Sequence, residues 1–373
     1  MLSEAEIINF LKQQFASSNE GILGIGDDAA VLPLSSEQAL VISKDVLAEN
    51  VHFRLNYFSP EALAHKALHS NFSDLAAMGV KPHFVMLGIS IPPHLDAIWT
   101  KNFLAAFAEV CKENNVILIG GDTTAAASEL FLSITVFGFS PPKFIKYRSG
   151  AKVGDLICVT GNLGSSYLGL LALEKDVAGL EDYKNKQLFP QARISEGLFL
   201  GQYNSSSSTL HSSFIIHNSS LFPIHSMMDL SDGLFIDLQR LCEASKVGAV
   251  LQIDKIPIVS DFEKAAQLLG VDPIQAKLGG GEDYELLFTV DPEIFSDLRA
   301  KFQQQFQFDI YPVGQIVAGS GVRLEQNGES MNIAVQVFEQ FFLSISAVLL
   351  DNIGRFLLGI RPLTFQIKKS EVF

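Results

Sequence analysis

The sequence is poor in basic residues, in cysteine and in long apolar runs. Its 27 lysines and arginines against 41 aspartates and glutamates give a net charge of −14, which argues against nucleic-acid binding because that function requires a basic face. The three cysteines are widely spaced and form no CxxC pair, so no zinc site or disulfide framework is predicted. The apolar stretch 341–350 is too short to span a bilayer, and no membrane role is predicted. The first residues lack the basic start and apolar core of a signal peptide, which predicts a cytoplasmic protein.

The common nucleotide-binding motifs are also absent. Neither a GxxxxGK[ST] loop nor the HRD and DFG motifs of protein kinases occur, so both of these kinase classes are excluded. The letters of residues 24–29 match the dinucleotide fingerprint GxGxxA. A pyrophosphate at that loop would meet Asp27 and Asp28 with no intervening cation, and Pro33 follows too soon for a strand–turn–helix unit. The segment is therefore not predicted to be a dinucleotide-binding loop.

Six acidic clusters beside glycine or small residues are the main positive feature of the chain. They are Gly26-Asp27-Asp28, Ser43-Lys44-Asp45, Ser73-Asp74, Gly120-Gly121-Asp122-Thr123-Thr124, Asp229-Leu230-Ser231-Asp232-Gly233 and Gly280-Gly281-Glu282-Asp283. Two carboxylates about 4 Å apart repel by about 4 kcal/mol at an effective dielectric of about 20, so a fold that gathers them is expected to fill the site with cations. Oxygen ligands of this kind suit Mg²⁺, which is usually shared with substrate phosphates. The clusters therefore indicate a Mg²⁺-dependent phosphoryl-transfer enzyme, whose metals would also explain how an acidic protein binds ATP.

The order of strand-like and helix-like segments predicts two domains, each with layers of sheet and helix, and hence an α+β (α/β-like) fold. The clearest helix begins at Ser59-Pro60 and ends at Met78, before Gly79, with Asn71 and Asp74 on one face. The predicted domains are 1–148 and 149–341, joined by a linker that begins at Pro141-Pro142, with an extension of unknown role at 342–373.

A serine-rich segment at 203–226 lacks periodicity and is predicted to be a flexible surface insertion. Its histidines, His211, His217 and His225, are expected to be ordinary loop residues rather than metal ligands. Metal ligands are instead expected at element ends, where the side chains of several aspartates can converge: Asp28, Asp45, Asp74, Asp122 and Asp229.

Seven motifs resemble those of the thiamine-monophosphate kinase family, which belongs to the superfamily of aminoimidazole ribonucleotide synthetase and selenophosphate synthetase. They are GIGDDAAVL, ISKDVLAENVHF, HKALHSNFSDLAAMG, LIGGDTT, RSGAKVGD, MDLSDGL and GGGEDYELLFTV, and in this order they cover roughly residues 20 to 341. The resemblance implies ATP-dependent phosphorylation of thiamine monophosphate to thiamine diphosphate. It also implies direct in-line transfer of the γ-phosphoryl group, several Mg²⁺ ions, and a homodimer in which the N-terminal sheets form a barrel.

The resemblance also implies roles for individual residues. Asp74, Asp122 and Arg148 are implied as catalytic residues. The implied ATP-binding residues are Gly121, Asp122, Arg148 and Ser231. The implied residues of the thiamine-phosphate pocket are His52, Glu282 and Phe338. The implied metal ligands are Asp28, Ser43, Lys44, Asp45, Asp74, Asp122, Asp229 and Asp232. Phosphoryl transfer depends on positioning and on cations that neutralise charge, and an aromatic side chain such as Phe338 suits a cationic thiazolium ring.

Two departures from the family pattern leave alternatives open. Lys44 stands where threonine is usual; either its side chain points away from the metal ions, or it lowers the number of ions bound. The neighbourhood of Phe338 matches only loosely, with Gln340 where histidine is common.

Rival functions remain on the sequence alone. One is another ATP-dependent enzyme of the superfamily, such as an aminoimidazole ribonucleotide synthetase. A selenophosphate synthetase is disfavoured, since it needs a reactive cysteine near its start and none precedes Cys111. A rival from a different class is a non-catalytic nucleotide-binding sensor, which loss of the metal carboxylates would favour, but all of them are present.

Overall fold

The computed structural model describes residues 2–15, 21–204 and 222–335 of the chain. Its first half contains α1 (Glu4–Gln14), β1 (Ala30–Pro33), β2 (Ala39–Ala48), α2 (Pro60–Ala77), β3 (Pro82–Ile91), α3 (Ala97–Glu113), β4 (Ile117–Ala125) and β5 (Phe131–Ser140). The five strands form one sheet in the order β1-β2-β5-β3-β4. Among these strands β3 and β4 pair in parallel, and the other three pairs are antiparallel. Helices α2 and α3 pack with the buried face of this sheet in one apolar core.

The second half contains a seven-stranded mixed sheet and most of the helices. Its elements are β6 (Leu156–Thr160), α4 (Ser165–Glu174), α5 (Glu181–Leu188), α6 (Ile194–Gln202), β7 (Ile224–Asp229), α7 (Leu234–Ser245), β8 (Gly248–Gln252), α8 (Phe262–Leu269), α9 (Pro273–Gly279), β9 (Leu286–Val290), α10 (Phe295–Phe306), β10 (Ile310–Val317), β11 (Gly321–Gln326) and β12 (Glu329–Met331). The strand order is β12-β11-β8-β10-β6-β9-β7. The α+β class predicted from the sequence is confirmed.

Helix α2 connects the two halves. It begins as predicted: the Ser59 hydroxyl accepts a hydrogen bond from the Ala62 N–H at 3.2 Å, and Pro60 occupies the first turn. Fourteen of its 18 residues are buried, because one part of the helix lies on the first sheet while Ala76 and Ala77 pack in a core with residues of α6, β7 and β9. This helix therefore carries side chains from the first sheet to the edge of the second.

Strand β4 is the outer strand of the first sheet, and all of its residues are exposed. Ile117, Leu118 and Ile119 are 60%, 51% and 54% exposed, although a run of three large apolar residues in a strand is usually covered. Within the described part of the chain, no helix is long and apolar enough to cross a membrane.

One sequence prediction about the serine-rich segment is wrong. Strand β7 begins at Ile224, so His225 belongs to the sheet rather than to an exposed loop, and its Nδ1 lies 2.9 Å from the Asp155 carboxylate. The histidines at 211 and 217, Phe338 and the extension 342–373 lie outside the described residues.

Candidate metal and phosphate site

Three aspartates from distant parts of the chain meet at the junction of the two halves. One oxygen from each of Asp28, Asp74 and Asp229 lies within 4.8 Å of the others. Asp28 precedes β1, Asp74 is on α2 and Asp229 ends β7. Burial, followed by the charges of neighbouring carboxylates, raises the pKa of Asp74 and Asp229 well above the ordinary range. Three acids this close together, two of them buried and Asp74 partly buried, are unfavourable as anions unless positive charge joins them.

Hydroxyl and amide groups orient these carboxylates. The Ser43 hydroxyl donates to Asp74 Oδ2 at 2.5 Å, and the Ser73 hydroxyl donates to Asp229 Oδ2 at 2.6 Å. The backbone N–H of Asp45 donates to Asn71 Oδ1 at 3.2 Å, which fixes strand β2 against α2. Asn71 and Asp74 were predicted to lie on one face of the helix, and both accept hydrogen bonds from strand β2.

Strand alternation divides the Ser43-Lys44-Asp45 motif between the two faces of the sheet. Ser43 and Asp45 face α2, and burial followed by the charge of Asp232 raises the pKa of Asp45 to about 6. The Lys44 side chain is exposed on the opposite face, where Nζ donates to the Ser133 hydroxyl at 2.5 Å. Of the two alternatives left open by the sequence, the structure agrees with a side chain that points away. The implied role of Lys44 as a metal ligand is therefore limited to its backbone.

Arg148 lies beside the aspartate cluster, in the segment between the two sheets. Its guanidinium donates to Asp28 Oδ1 from Nη2 at 2.5 Å and from Nε at 3.1 Å, and its backbone N–H donates to Asp27 at 3.1 Å. Burial, followed by the charge of Asp28, raises the pKa of Asp27 to about 7. The sequence indicates Asp27 only as part of an acidic cluster. Its contact with Arg148 joins residues that are distant along the chain, so the local motif does not predict it.

The donor set fits a hard divalent cation. Asp28 Oδ2 is buried and has no hydrogen-bond partner, an arrangement that is costly unless a cation or water binds there. Every candidate ligand offers oxygen, and burial raises the pKa of all three carboxyl groups, so positive charge beside them would stabilise their ionised forms. Asp28, Asp74 and Asp229 would hold such an ion directly, with Ser43 and Asp45 next to them.

The loop that follows β7 carries two more of the implied residues. The Asp232 carboxylate pairs with the guanidinium of Arg240, and the Asp237 carboxylate accepts the N–H groups of Asp232 and Gly233 at 3.1 Å. The Ser231 carbonyl accepts the Glu282 N–H at 2.8 Å. The MDLSDGL and GGGEDYELLF motifs are therefore neighbouring loops in space.

Glu282 belongs to a tightly folded backbone segment. It adopts a positive φ of 63°, and a Cβ on Gly281 would lie 2.6 Å from the Ser231 carbonyl oxygen. Its carboxylate forms an ion pair with Lys66 of α2 at 2.7 Å and accepts a hydrogen bond from Gln187 of α5 at 2.7 Å. Nothing in the spacing of the sequence indicated either partner, because both are distant along the chain.

The remaining implied residues lie apart from the buried cluster. His52 is half-buried just beyond β2, and its Nδ1 accepts the Ala48 N–H at 3.0 Å. Asp122 is exposed on β4, three strands from β2 in the sheet, which corresponds to about 14 Å. A Cβ on its neighbour Gly121 would lie 1.9 Å from the Leu87 carbonyl oxygen, so close packing on β3 requires glycine there. Within one chain, Asp122 does not join Asp28, Asp74 and Asp229.

The fold and this carboxylate-rich junction define a class of protein. The family model described as AIR synthase related protein, N-terminal domain, matches residues 26–140, and the model for the C-terminal domain matches residues 152–327. The chain therefore has both domains of that class, and the buried aspartates come from both.

Individual relatives narrow the assignment. Thiamine-monophosphate kinase of Buchnera aphidicola subsp. Acyrthosiphon pisum is 34% identical over 91% of this chain and 99% of its own length. The enzyme of that name from Escherichia coli strain K12 is 37% identical over 73% of this chain and 77% of its own. The solved structure described as AaThiL complexed with AMPPCP and TMP has a TM-score of 0.74 and 26% identity, covering 90% of this chain and 97% of that one. The chain belongs to the thiamine-monophosphate kinase family, which confirms the resemblance seen in its motifs.

Proposed function

We propose that this protein transfers the γ-phosphoryl group of ATP directly to the phosphate of thiamine monophosphate, forming thiamine diphosphate. The observation that carries the proposal is the convergence of Asp28, Asp74 and Asp229 beside Arg148. Asp74 lies on α2, the same helix whose Lys66 pairs with Glu282. Family membership supports both substrates, since one solved relative is described as complexed with AMPPCP, an ATP analogue, and TMP.

Eight residues would together hold several Mg²⁺ ions. The central ligands are Asp28, Asp74 and Asp229, with Ser43 and Asp45 beside them on β2. The other ligands are Lys44 (through its backbone), Asp122 and Asp232. When bound, the ions neutralise charge on the transferred group and on the phosphates around it.

Arg148 supplies the fixed positive charge of the site. Its guanidinium is held by the buried Asp28 carboxylate, so it is oriented before ATP binds. Ser231 and Gly121 are proposed to contact the nucleotide, and Asp74 and Asp122 to hold the phosphates in line for transfer. The accepting phosphate oxygen is already deprotonated near neutral pH, so no protein group has to act as a general base.

The acceptor pocket is proposed to lie at Glu282, His52 and Phe338. A carboxylate attracts the positive thiazolium ring and accepts hydrogen bonds from an aminopyrimidine. An aromatic ring adds a cation–π attraction of about 0.5–2 kcal/mol.

The working unit is proposed to be a homodimer that pairs the N-terminal sheets into a barrel. Support comes from β4, an exposed edge strand with three adjacent large apolar residues and unpaired backbone groups on one side. Asp122 lies on this strand, so dimerisation would also determine what surrounds its carboxylate.

Isotope tracing tests the direct transfer. The protein is mixed with γ-labelled ATP and Mg²⁺, first without acceptor and then with thiamine monophosphate. We expect no labelled protein without acceptor, and equal amounts of ADP and labelled thiamine diphosphate once it is added. Labelled protein that forms without acceptor and passes its label on would contradict direct transfer. ATP turnover with no gain from thiamine monophosphate would favour another enzyme of the superfamily.

A further inference from the structure

The Glu282 carboxylate is held on both sides by buried side chains. Lys66 Nζ lies 2.7 Å from Oε1, and the Gln187 side-chain amide donates to Oε2 at 2.7 Å. Lys66 and Gln187 are each 1% exposed, so neither can leave Glu282 for solvent without opening the core. A carboxylate fixed at both oxygens keeps one orientation.

Each of the two partners is itself fixed by a second contact. The Lys66 ammonium lies 5.4 Å from the centroid of the Phe58 ring, and the side-chain oxygen of Gln187 accepts the Ser166 hydroxyl at 2.6 Å. The residue after Glu282 is anchored too, since the Asp283 carboxylate accepts the N–H groups of Gly164 and Ser166 at the start of α4. Glu282 therefore sits in a rigid setting built from α2, α4 and α5.

Helix α2 carries both the partner of Glu282 and one member of the aspartate cluster. Lys66 and Asp74 are eight residues apart on this helix, which corresponds to a rise of about 12 Å. The same helix thus carries Asp74, a carboxylate of the proposed metal site, and Lys66, which orients the Glu282 carboxylate of the proposed acceptor pocket.

We propose that Lys66, with Gln187, is a positioning residue that sets acceptor affinity by fixing the Glu282 carboxylate. Each carboxylate oxygen can accept two hydrogen bonds, so Glu282 can still accept an N–H from the acceptor after binding its two protein partners. Lys66 acts through Glu282 and not on ATP. This inference rests on the proposed function, because it assumes that Glu282 contacts the acceptor.

The test is steady-state kinetics on Lys66→Met, which keeps most of the apolar stem and removes the charge. The KM for thiamine monophosphate is expected to rise about ten- to a hundredfold, because the Glu282 carboxylate loses the buried ion pair that fixes its Oε1. The KM for ATP is expected to stay within about twofold. Gln187→Met should give a smaller rise in the same KM. Thermal melting shows whether Lys66→Met folds; if it does not, Gln187→Met is used as the test variant instead.

Lys146→Met is the matched control. Lys146 is also a buried lysine, but its ammonium lies over the Phe222 ring, 5.0 Å from the centroid. The control removes a buried ammonium without touching Glu282, so it should leave the acceptor KM unchanged. An equal rise in that KM for Lys146→Met would show a general packing effect and overturn the inference.

A double-mutant cycle with Glu282→Ala isolates the proposed route. If Lys66 acts through the Glu282 carboxylate, Lys66→Met should raise the acceptor KM no further when Glu282 is already alanine. An undiminished effect in that background, or an acceptor KM within twofold of wild type for folded Lys66→Met, would overturn the inference. Failure of the proposed function is distinguishable, because the wild-type protein would then not phosphorylate thiamine monophosphate.

Discussion

At the scale of single residues, Asp74 has the most informative environment. Its carboxyl group is held by Ser43, and burial, then Asp45 and Asp229, raise its pKa well above the ordinary range. A carboxyl group whose pKa is raised on folding destabilises the native state increasingly as pH rises above its unfolded value of about 4. Without cations, the ionised cluster therefore opposes folding near neutral pH.

Replacing Asp74 by asparagine should separate activity from stability. Turnover should be lost because the metal site loses a central ligand, whereas the melting temperature in EDTA at pH 8 should equal or exceed that of wild type. Added Mg²⁺ should raise the melting temperature of wild type but not of the variant, because only a cation that binds the native state stabilises it. Near-normal activity of Asp74→Asn would contradict the assignment of the metal site.

His69 predicts a second effect at this scale. Burial, followed by the neighbouring His65, lowers the pKa of His69 to about 3, and its Nδ1 accepts the Ala192 N–H at 3.1 Å. A neutral buried histidine contributes its full stability above the unfolded pKa of about 6.5 and loses it as pH falls, by about 1.4 kcal/mol at pH 5.5. His69→Gln should remove this loss.

The measurement is urea denaturation of wild type and His69→Gln at pH 7.5 and pH 5.5. The buried carboxylates titrate in the opposite sense, so the informative quantity is the difference between the two proteins. We expect wild type to lose about 1.4 kcal/mol relative to the variant between the two pH values. Parallel pH dependence in the two proteins would show that His69 is not held neutral.

At the scale of secondary-structure elements, α2 and α6 make a close contact at Ala76, two residues after Asp74. A Cβ on Gly197 of α6 would come 2.1 Å from the Ala76 carbonyl oxygen of α2, so the two helices touch through backbone. Glycine is required here by close approach, despite its low helix propensity.

Gly197→Ala should therefore destabilise the protein. Overpacking of this kind costs about 1–3 kcal/mol, which exceeds the gain of about 1 kcal/mol from better helix propensity. Turnover should fall too, because α2 would move with Asp74 on it. Ser195→Ala, at an exposed position of the same helix, should be neutral in urea denaturation. Equal midpoints for Gly197→Ala and wild type would mean that the helices separate at no cost.

Helix α2 was the part that the sequence predicted best, and of the five aspartates expected to converge the structure brings together Asp28, Asp74 and Asp229. A serine cap, a first-turn proline and a closing glycine define α2 locally, and the Gly-Asp motifs mark element ends. The direction of Lys44 depends on strand register, and the pairing of Lys66 with Glu282 depends on how the two halves pack, so neither follows from local pattern. His225 was misplaced because a strand that begins within a serine-rich segment has too little periodicity to be recognised.

At the scale of the whole molecule, the exposed strand β4 bears on the proposed homodimer. Ile119→Glu would place a charge in the paired surface, where it would be desolvated without a partner. We expect light scattering to give about twice the chain mass of 40.8 kDa for wild type and the single-chain mass for the variant. The control is Ile98→Glu, since Ile98 is 71% exposed on α3 and should leave the mass unchanged. A wild-type monomer, or a dimer unaffected by Ile119→Glu, would contradict dimerisation through β4.

The central claim is tested most directly by the acceptor that the purified protein phosphorylates. Thiamine monophosphate and free thiamine are each incubated with ATP and Mg²⁺, with parallel samples in EDTA, and the products are separated by chromatography. We predict thiamine diphosphate from the monophosphate only, equimolar ADP, and no product in EDTA. Product from free thiamine, or none from the monophosphate while ATP still binds, would contradict the proposed function.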